Sequence, residues 1–225
     1  MTLLAFIPAR GGSKGIPRKN IRTFYGKPLI QWTIEVALAA AGIDRVIVST
    51  EDQEIAYLAQ SCGAEVPFLR PVELASDEAS GISPVLHALD QIQEVTDLLL
   101  LQPTSPLRAV EDIEAIVKLR RQAGCASAVS LTPSSKHPAW MYSLSNTDYL
   151  KPLMASDSAH CRQQLPPAYV LNGALYFASR QFLFREQSFI TSETIGYVMP
   201  PERSVDIDTP LDWQWAEFLM RQQQL

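Results

Sequence analysis

The sequence lacks several features that mark whole classes of proteins. Its three cysteines, Cys62, Cys125 and Cys161, are odd in number and show no metal-ligand spacing, and no signal-peptide pattern precedes them. A disulfide framework or a zinc site is therefore not indicated, and we expect reduced thiols in a cytoplasmic protein. The apolar run at residues 98–101 ends at once in Gln and Pro, so no stretch approaches the length of a membrane-spanning helix.

The chain also lacks an excess of positive charge. It has 19 Lys and Arg residues against 24 Asp and Glu residues, which gives a formal net charge of −5. A nucleic-acid polymer is a poor partner for such a chain, and small anions bound locally fit better. The length of 225 residues, 47% of them hydrophobic, predicts one soluble domain over residues 1–225.

Two common phosphate-binding patterns are absent as well. The first glycines stand at positions 11, 12 and 15, which matches neither the Walker A spacing nor the dinucleotide fingerprint G-x-G-x-x-G. No convincing Ser-His-Asp or Cys-His signature occurs either. These absences argue against a P-loop kinase or ATPase and against a nicotinamide-dependent oxidoreductase.

A glycine-rich basic loop at residues 8–20 is the most informative feature that is present. It follows an apolar run at residues 3–7 that predicts a short buried strand. The glycines allow backbone N–H groups to converge on an anionic oxygen. Four cations add positive charge around the same position: Arg10, Lys14, Arg18 and Lys19. The loop predicts polyphosphate binding, and the alternative is a solvated basic loop without a ligand.

Apolar runs and helical patterns alternate along the first half of the chain. Further strands are predicted at residues 45–50, 65–68, 97–101 and 126–131, with helical spacing between them. This alternation predicts an α/β fold with a mostly parallel sheet flanked by helices. Ligands of such sheets bind at the carboxyl ends of the strands, where the glycine-rich loop lies. Shorter apolar runs at residues 169–171, 174–177 and 195–198 predict further strands.

The alternation breaks at residues 132–168, which are rich in Pro, Ser and aromatic residues. This stretch is either a loose surface excursion or a small insertion that pairs with a second subunit. The sequence pattern alone slightly favours the first.

Two aspartates near the C-terminal end predict a metal site. In an extended segment Asp206 and Asp208 face one way, while Val205 and Ile207 face the other. Two carboxylates on one edge suit a hard divalent cation, and a neighbouring polyphosphate loop makes Mg²⁺ the predicted ion. The alternative is that both carboxylates only solubilise a loop. Thr209 and Asp212 then predict a capping box at the start of a last helix.

Weaker polar groups follow other strands. Gln102 offers a donor and an acceptor directly after the run at residues 97–101, and Arg108 offers a fork for a carboxylate or phosphate. Arg162 with Asn172 suits an acidic sugar. Arg70 and the small residues at 77–81 suit either nucleotide contact or a turn.

In this order, these motifs resemble those of the acylneuraminate cytidylyltransferases, the enzymes that make CMP-sialic acid and related CMP-sugars. The resemblance covers nearly the whole chain and rests on residues 7–15 with Lys19 and Asn20, 69–71 followed by 74–77, 101–108, 172–174 and 206–209. It implies a nucleotide-diphospho-sugar transferase (Rossmann-like) fold. It also implies a reaction in which CTP and an acidic nine-carbon keto sugar give a CMP-sugar and pyrophosphate.

The resemblance also assigns roles to individual residues. Arg10, Lys19 and Asp208 would be catalytic, and Asp206 with Asp208 would bind one or two Mg²⁺ ions. Gln102, Arg162 and Asn172 would contact the sugar. The nucleotide would be held by Ala9, Arg10, Gly11, Gly12, Ser13, Lys14, Asn20, Arg70, Ala79 and Gly81.

Family members are typically homodimers, which implies that residues 132–168 form a dimerisation insertion. Arg162 would then act either within its own subunit or across the dimer. The sugar stays open among N-acetylneuraminate, legionaminate and pseudaminate. A relative that uses GTP on a legionaminate-type sugar, a 3-deoxy-manno-octulosonate activator and a non-catalytic nucleotide-binding module are the alternatives.

Overall fold

The computed structural model describes residues 2–154 and 165–222, and six strands of this part of the chain form one central sheet. The strands are, in chain order, β1 (Leu3–Pro8), β2 (Thr23–Phe24), β3 (Lys27–Pro28), β4 (Arg45–Ser49), β5 (Asp97–Leu101), β6 (Ser127–Pro133), β7 (Tyr142–Leu144), β8 (Leu150–Pro152), β9 (Tyr169–Ser179) and β10 (Ile195–Val198). The order across the central sheet is β10-β6-β9-β5-β1-β4, and β2-β3 and β7-β8 form two-stranded sheets.

Helices cover both faces of the central sheet. They are α1 (Leu29–Ala39), α2 (Gln53–Ser61), α3 (Ser83–Gln91), α4 (Val110–Ala123), α5 (Arg180–Glu186) and α6 (Pro210–Gln222). Helix α2 begins at Asp52, whose side chain accepts from the N–H groups of Glu54 and Ile55. Helix α4 ends at Gly124, which has a φ of 61° and so takes the left-handed conformation that glycine adopts without strain.

Alternate residues of the central strands face different parts of the core. Leu3, Ala5 and Ile7 of β1 pack in a cluster with residues of α1 and α4, while Leu4 and Phe6 pack with residues of α3 and α5. Every residue of β5 is buried. Both faces are therefore apolar, as expected for a parallel sheet that helices cover on both sides.

The predicted mostly parallel α/β sheet is confirmed, with two differences in detail. Strand β9 is one continuous strand antiparallel to both β5 and β6, where the sequence predicts two short strands separated at Asn172 and Gly173. The predicted strand at residues 65–68 is reduced to a single bridge between Ile47 and Glu65. Pro67 lacks the N–H group that would continue the ladder, which explains this short pairing.

A third apolar cluster lies beside the sheet and holds the C-terminal segment in place. Ile207 is fully buried there against Leu107 and Trp213, together with Ile16 from the glycine-rich loop. The cluster therefore packs the glycine-rich loop, the loop after β5 and the segment before α6 against one another.

Residues 132–168 begin in β6 and continue into the exposed hairpin β7–β8. Its apolar side chains Tyr142, Leu144 and Leu150 are exposed. The predicted use of this segment in dimerisation stays a prediction, and residues 155–164 lie outside the described part. In residues 2–154 and 165–222, every helix is too short or too polar to cross a membrane.

Candidate active site

A cleft of about 520 Å³ opens at the carboxyl ends of β1 and β5, as expected for an open α/β sheet. Five of the predicted residues that line it come from the glycine-rich loop: Arg10, Ser13, Lys14, Lys19 and Asn20. Six more come from other loops: Arg70, Ala79, Gly81, Gln102, Asp206 and Asp208. The structure therefore brings most of the predicted site residues together.

Carboxylates of the protein itself bind part of the glycine-rich loop. The Gly11 N–H donates to Glu51 Oε1 at 2.7 Å, so this N–H already has a partner. Arg18 pairs with Asp52 and Glu54 at the start of α2 and lies outside the cleft. The predicted convergence of all four cations on one anion is therefore wrong for Arg18, because Arg18 forms ion pairs with the acidic residues at the start of α2.

Ala9, Gly11 and Gly12 lie outside the lining of the cleft. The Ala9 N–H donates to the Ser49 carbonyl at 3.0 Å, as a continuation of the β1–β4 pairing. The nucleotide contacts predicted for these three residues stay predictions.

Lys19 and Asn20 fix the loop internally. The Asn20 Nδ2 group is buried and donates to the Arg10 carbonyl at 2.9 Å, which holds the backbone that carries Arg10. Lys19 Nζ donates to the Ile207 carbonyl at 2.6 Å and to Asp208 Oδ1 at 3.1 Å. A Cβ placed on Gly15 would overlap the carbonyl oxygen of Asp208. The loop and the acidic segment therefore form one closely packed unit.

The acidic segment presents two carboxylates to the cleft. The buried Ile207 donates its N–H to the Thr104 carbonyl at 2.8 Å, which places Asp206 and Asp208 on the same edge. The predicted capping box is confirmed, because Asp212 Oδ2 accepts from the Thr209 N–H at 2.7 Å and the Asp212 N–H donates to Thr209 Oγ1 at 3.3 Å.

Asp206 and Asp208 fit the donor set of a hard divalent cation. The Oδ1 atom of Asp206 is buried and has no hydrogen-bond partner among the described residues. Burial raises the pKa of Asp206, and the charge of Asp208 raises it further, against a hydrogen bond with Thr104 that lowers it in part. A positive ion between the two carboxylates would offset both effects. In the described part of the chain, no third His, Cys, Asp or Glu joins them, so further ligands would be phosphate and water oxygens.

Asp77 contacts two cations that also line the cleft. Its Oδ1 accepts from Arg10 Nη1 at 2.7 Å, and its Oδ2 lies 2.5 Å from Lys14 Nζ. These hydrogen bonds, that of Lys14 first, lower the pKa of Asp77. The sequence placed this residue in a polar turn but gave no sign that it pairs with the glycine-rich loop.

Arg70 and Glu51 form a buried pair beside the cleft. Arg70 Nη2 donates to Glu51 Oε2 at 2.8 Å, and the other oxygen of Glu51 accepts the Gly11 N–H. Glu51 therefore ties the loop after β1 to the segment that carries Arg70. Sequence reasoning missed Glu51, although its position just after β4 is the signal that would have found it.

The Arg108 side chain is used inside the protein and lies outside the lining of the cleft. It is buried and donates to the carbonyl of Gln102 at 2.7 Å and to that of Ala174 at 3.0 Å. Burial lowers the pKa of Arg108 to about 9, so the side chain stays charged at neutral pH. The guanidinium group, which the sequence suggested for a carboxylate or phosphate, instead holds the loop after β5 against β9.

Asn172 is also used internally. Its Oδ1 accepts from Ser130 Oγ at 2.5 Å, and its Nδ2 donates to Ser204 Oγ at 2.9 Å. The structure does not bring this side chain into the cleft, whereas a Cβ placed on the neighbouring Gly173 would lie 3.0 Å from Gln102 Oε1. The sugar contact predicted for Asn172 stays a prediction without support from the geometry. Arg162 lies outside the described residues.

Comparison with known proteins identifies similar enzymes. A family model described as cytidylyltransferase matches residues 4–193. A CMP-N,N'-diacetyllegionaminic acid synthase of Legionella pneumophila is 39% identical over 98% of this chain and 97% of its own length. An N-acylneuraminate cytidylyltransferase of Streptococcus agalactiae is 34% identical over 95% of this chain, which corresponds to 52% of that protein.

A solved structure shares the fold. It is a CMP:2-keto-3-deoxy-manno-octonic acid synthetase complexed with CTP, with a TM-score of 0.75 and 21% identity over 99% of this chain and 100% of its own. At this identity the likeness concerns the fold alone.

Proposed function

This chain belongs to the cytidylyltransferase family, and we propose that it transfers CMP from CTP to an acidic nonulosonate sugar with release of pyrophosphate. The membership confirms the resemblance that the sequence motifs indicate. The observation that carries the proposal is the meeting of Lys19 with Asp208 in a cleft that Arg10, Lys14 and Arg70 also line. Several cations and a pair of carboxylates that line one cleft suit a metal-bound triphosphate.

In the proposed reaction the anomeric hydroxyl oxygen of the sugar attacks the α-phosphorus of CTP. The new P–O bond forms as the bond to the β-phosphate breaks, pyrophosphate leaves with the bonding electron pair, and the hydroxyl proton passes to water. Arg10 and Lys19 stabilise the negative charge on the phosphates and on the departing pyrophosphate. The binding residues supply most of the catalysis by holding the two substrates in line.

Asp206 and Asp208 are the residues that would hold Mg²⁺. When bound, such an ion neutralises phosphate charge and lowers the pKa of a coordinated hydroxyl. The buried, unpartnered oxygen of Asp206 supports this proposal.

The acceptor sugar is proposed to be of the nonulosonate type. The support is the relative that this chain matches over nearly its full length, whose name specifies a legionaminic acid. Gln102 lies in the cleft at the end of β5 and offers both a donor and an acceptor to a sugar.

A cytoplasmic homodimer is the proposed form of the enzyme. The exposed apolar side chains of the β7–β8 hairpin, Tyr142, Leu144 and Leu150 among them, support an interface there. Light scattering would test this proposal, and the expected mass is twice that of the 25.0 kDa chain. A Leu144→Asp, Leu150→Asp variant should then have the mass of one chain.

Pyrophosphate release tests the proposed reaction. We would cross CTP, GTP, UTP and ATP with N-acetylneuraminate, N,N'-diacetyllegionaminate and pseudaminate in the presence of Mg²⁺. The expected result is release with CTP and one nonulosonate, and loss of that release in Asp208→Asn with the fold intact. Preference for GTP would overturn the choice of base, and full activity of Asp208→Asn would overturn the metal assignment.

A further inference from the structure

Besides the buried pair of Arg70 with Glu51, two groups of paired charges line the cleft. In the first, Lys19 pairs with Asp208, next to the proposed metal ligand Asp206. In the second, Arg10 and Lys14 share Asp77. The second group is not explained by the proposed metal site, because Asp77 is bound to the very cations that would contact phosphate.

The position of Asp77 imitates that of a bound anion. A single carboxylate contacts both cationic groups, with one oxygen on Arg10 Nη1 and the other on Lys14 Nζ. All three side chains line the same cleft. A polyphosphate that binds Arg10 Nη1 and Lys14 Nζ from the position of the Asp77 carboxylate therefore displaces Asp77 from them.

We propose that Asp77 is a displaceable counterion that sets the affinity of the cleft for the phosphates of the nucleotide, a role that rests on the proposed function. The side chains of Arg10, Lys14 and Asp77 are 37%, 81% and 45% exposed. Ion pairs this exposed to water are weak and break readily. The apparent affinity for phosphate equals the intrinsic affinity multiplied by the fraction of molecules in which the cations are free.

The loop that carries Asp77 connects this displacement to nucleotide binding. It runs from the turn Val72–Ala75 to the start of α3 and includes Ala79 and Gly81, which also line the cleft. When Asp77 leaves Arg10 and Lys14, the same loop is free to adjust to the nucleotide. After transfer, Asp77 competes with pyrophosphate for these cations and so favours its release.

Calorimetric titration with sodium pyrophosphate, without divalent metal, tests this role. We would compare wild type with Asp77→Asn, which keeps the shape but loses the charge. The control is Glu78→Gln, which removes the same charge from the neighbouring position. Glu78 is exposed and makes no ion pair in the part of the chain that is described. Asp77→Asn should bind pyrophosphate about three- to tenfold more tightly, as expected for the loss of two exposed ion pairs, and Glu78→Gln should bind it within about twofold of wild type.

Equal or weaker binding by Asp77→Asn would overturn the proposal, as would equal tightening by Glu78→Gln or no pyrophosphate binding by any of the three proteins. Weaker binding would show that Asp77 positions the cations instead of competing for them. Turnover of CTP separates this result from the proposed function. If wild type turns over CTP but Asp77→Asn does not bind pyrophosphate more tightly, only the role of Asp77 is rejected. If Asp77→Asn binds pyrophosphate more tightly but wild type does not turn over CTP, only the proposed reaction is rejected.

Discussion

Lys19 Nζ lies 3.1 Å from Asp208 Oδ1, although the two residues are 189 positions apart in the sequence. The contact joins the glycine-rich loop after β1 to the acidic segment before α6. It is reinforced by the hydrogen bond from Lys19 to the Ile207 carbonyl. The cation assigned to the phosphates and the carboxylate assigned to the metal are therefore positioned by each other.

Removal of the Lys19 ammonium should have a large effect on the rate. Lys19→Ala loses a preorganised cation at the phosphates, and we expect kcat/KM for CTP to fall by about 100-fold or more. Lys118→Ala is the control, because Lys118 is exposed on α4 and should leave the rate within about twofold of wild type. Steady-state pyrophosphate release measures both. A fall of only a few-fold in Lys19→Ala would remove Lys19 from the catalytic residues.

Gly15 should tolerate no side chain. Gly15→Ala forces its Cβ against the backbone carbonyl of Asp208, which has no flexible way to yield. We expect a loss of stability of about 1–3 kcal/mol, seen as a lower Tm. Gly12→Ala is the matched control from the same loop, because a Cβ there meets nothing within 4 Å. Equal Tm values for the two variants would contradict the close packing of the loop on Asp208.

The stability of Asp206→Asn should depend on pH in a defined direction. The pKa of Asp206 is raised in the folded state, mainly by burial, so the ionised carboxylate destabilises the fold at pH values above that raised pKa. The penalty disappears as pH falls below the unfolded value of about 4. We therefore expect Asp206→Asn to have a higher Tm than wild type at neutral pH, and this gain should shrink as the pH is lowered.

The control for this experiment is Asp90→Asn, which removes an exposed carboxylate on α3 and should leave the Tm profile close to that of wild type. Added Mg²⁺ should raise the Tm of wild type more than that of Asp206→Asn, since the ion stabilises the state that binds it. A lower Tm for Asp206→Asn at neutral pH would mean that the carboxylate is stabilised by the protein itself.

Arg203 should stabilise the fold by anchoring the segment that connects β10 to the acidic residues Asp206 and Asp208. It donates from Nε and Nη2 to the two oxygens of Asp112, both at 2.8 Å, and the Asp112 side chain is fully buried. Arg203→Met leaves that carboxylate without its charged partner, and we expect a loss of about 3 kcal/mol in the free energy of unfolding. Urea denaturation measures this loss. Arg185→Met breaks an exposed pair with Glu186 and removes the guanidinium from the Phe182 ring, and it should cost less than about 1 kcal/mol.

The parallel part of the sheet is predictable from the sequence, because runs such as residues 98–101 are apolar throughout and alternate with segments of helical spacing. The antiparallel direction of β9 is not. A short apolar run gives no information on strand direction, and the break at Asn172 and Gly173 looked like the end of a strand. In the structure Gly173 has a φ of 74° within one continuous strand, which glycine allows.

The site could be predicted where position along a strand decides it. Arg10 and Gln102 follow β1 and β5 and so meet at the same edge of the sheet. What a polar side chain binds, however, depends on neighbours that are distant in the sequence. The sequence suggested that Arg18 and Arg108 bind a ligand. In the structure Arg18 forms an ion pair with Asp52, and Arg108 donates hydrogen bonds to two backbone carbonyls. The position of Glu51 just after β4 could have marked it, whereas the contacts of Asp77 with Arg10 and Lys14 are visible only once its loop is folded.

Identification of the reaction product is the sharpest test of CMP transfer to a nonulosonate. We would incubate the enzyme with CTP, Mg²⁺ and N,N'-diacetyllegionaminate or N-acetylneuraminate and record ³¹P spectra. We expect a phosphodiester resonance of a CMP-sugar that grows in equal amount with pyrophosphate, and only when the sugar is present. Pyrophosphate with free CMP and no phosphodiester, or no change with any nonulosonate, would contradict transfer of CMP to such a sugar.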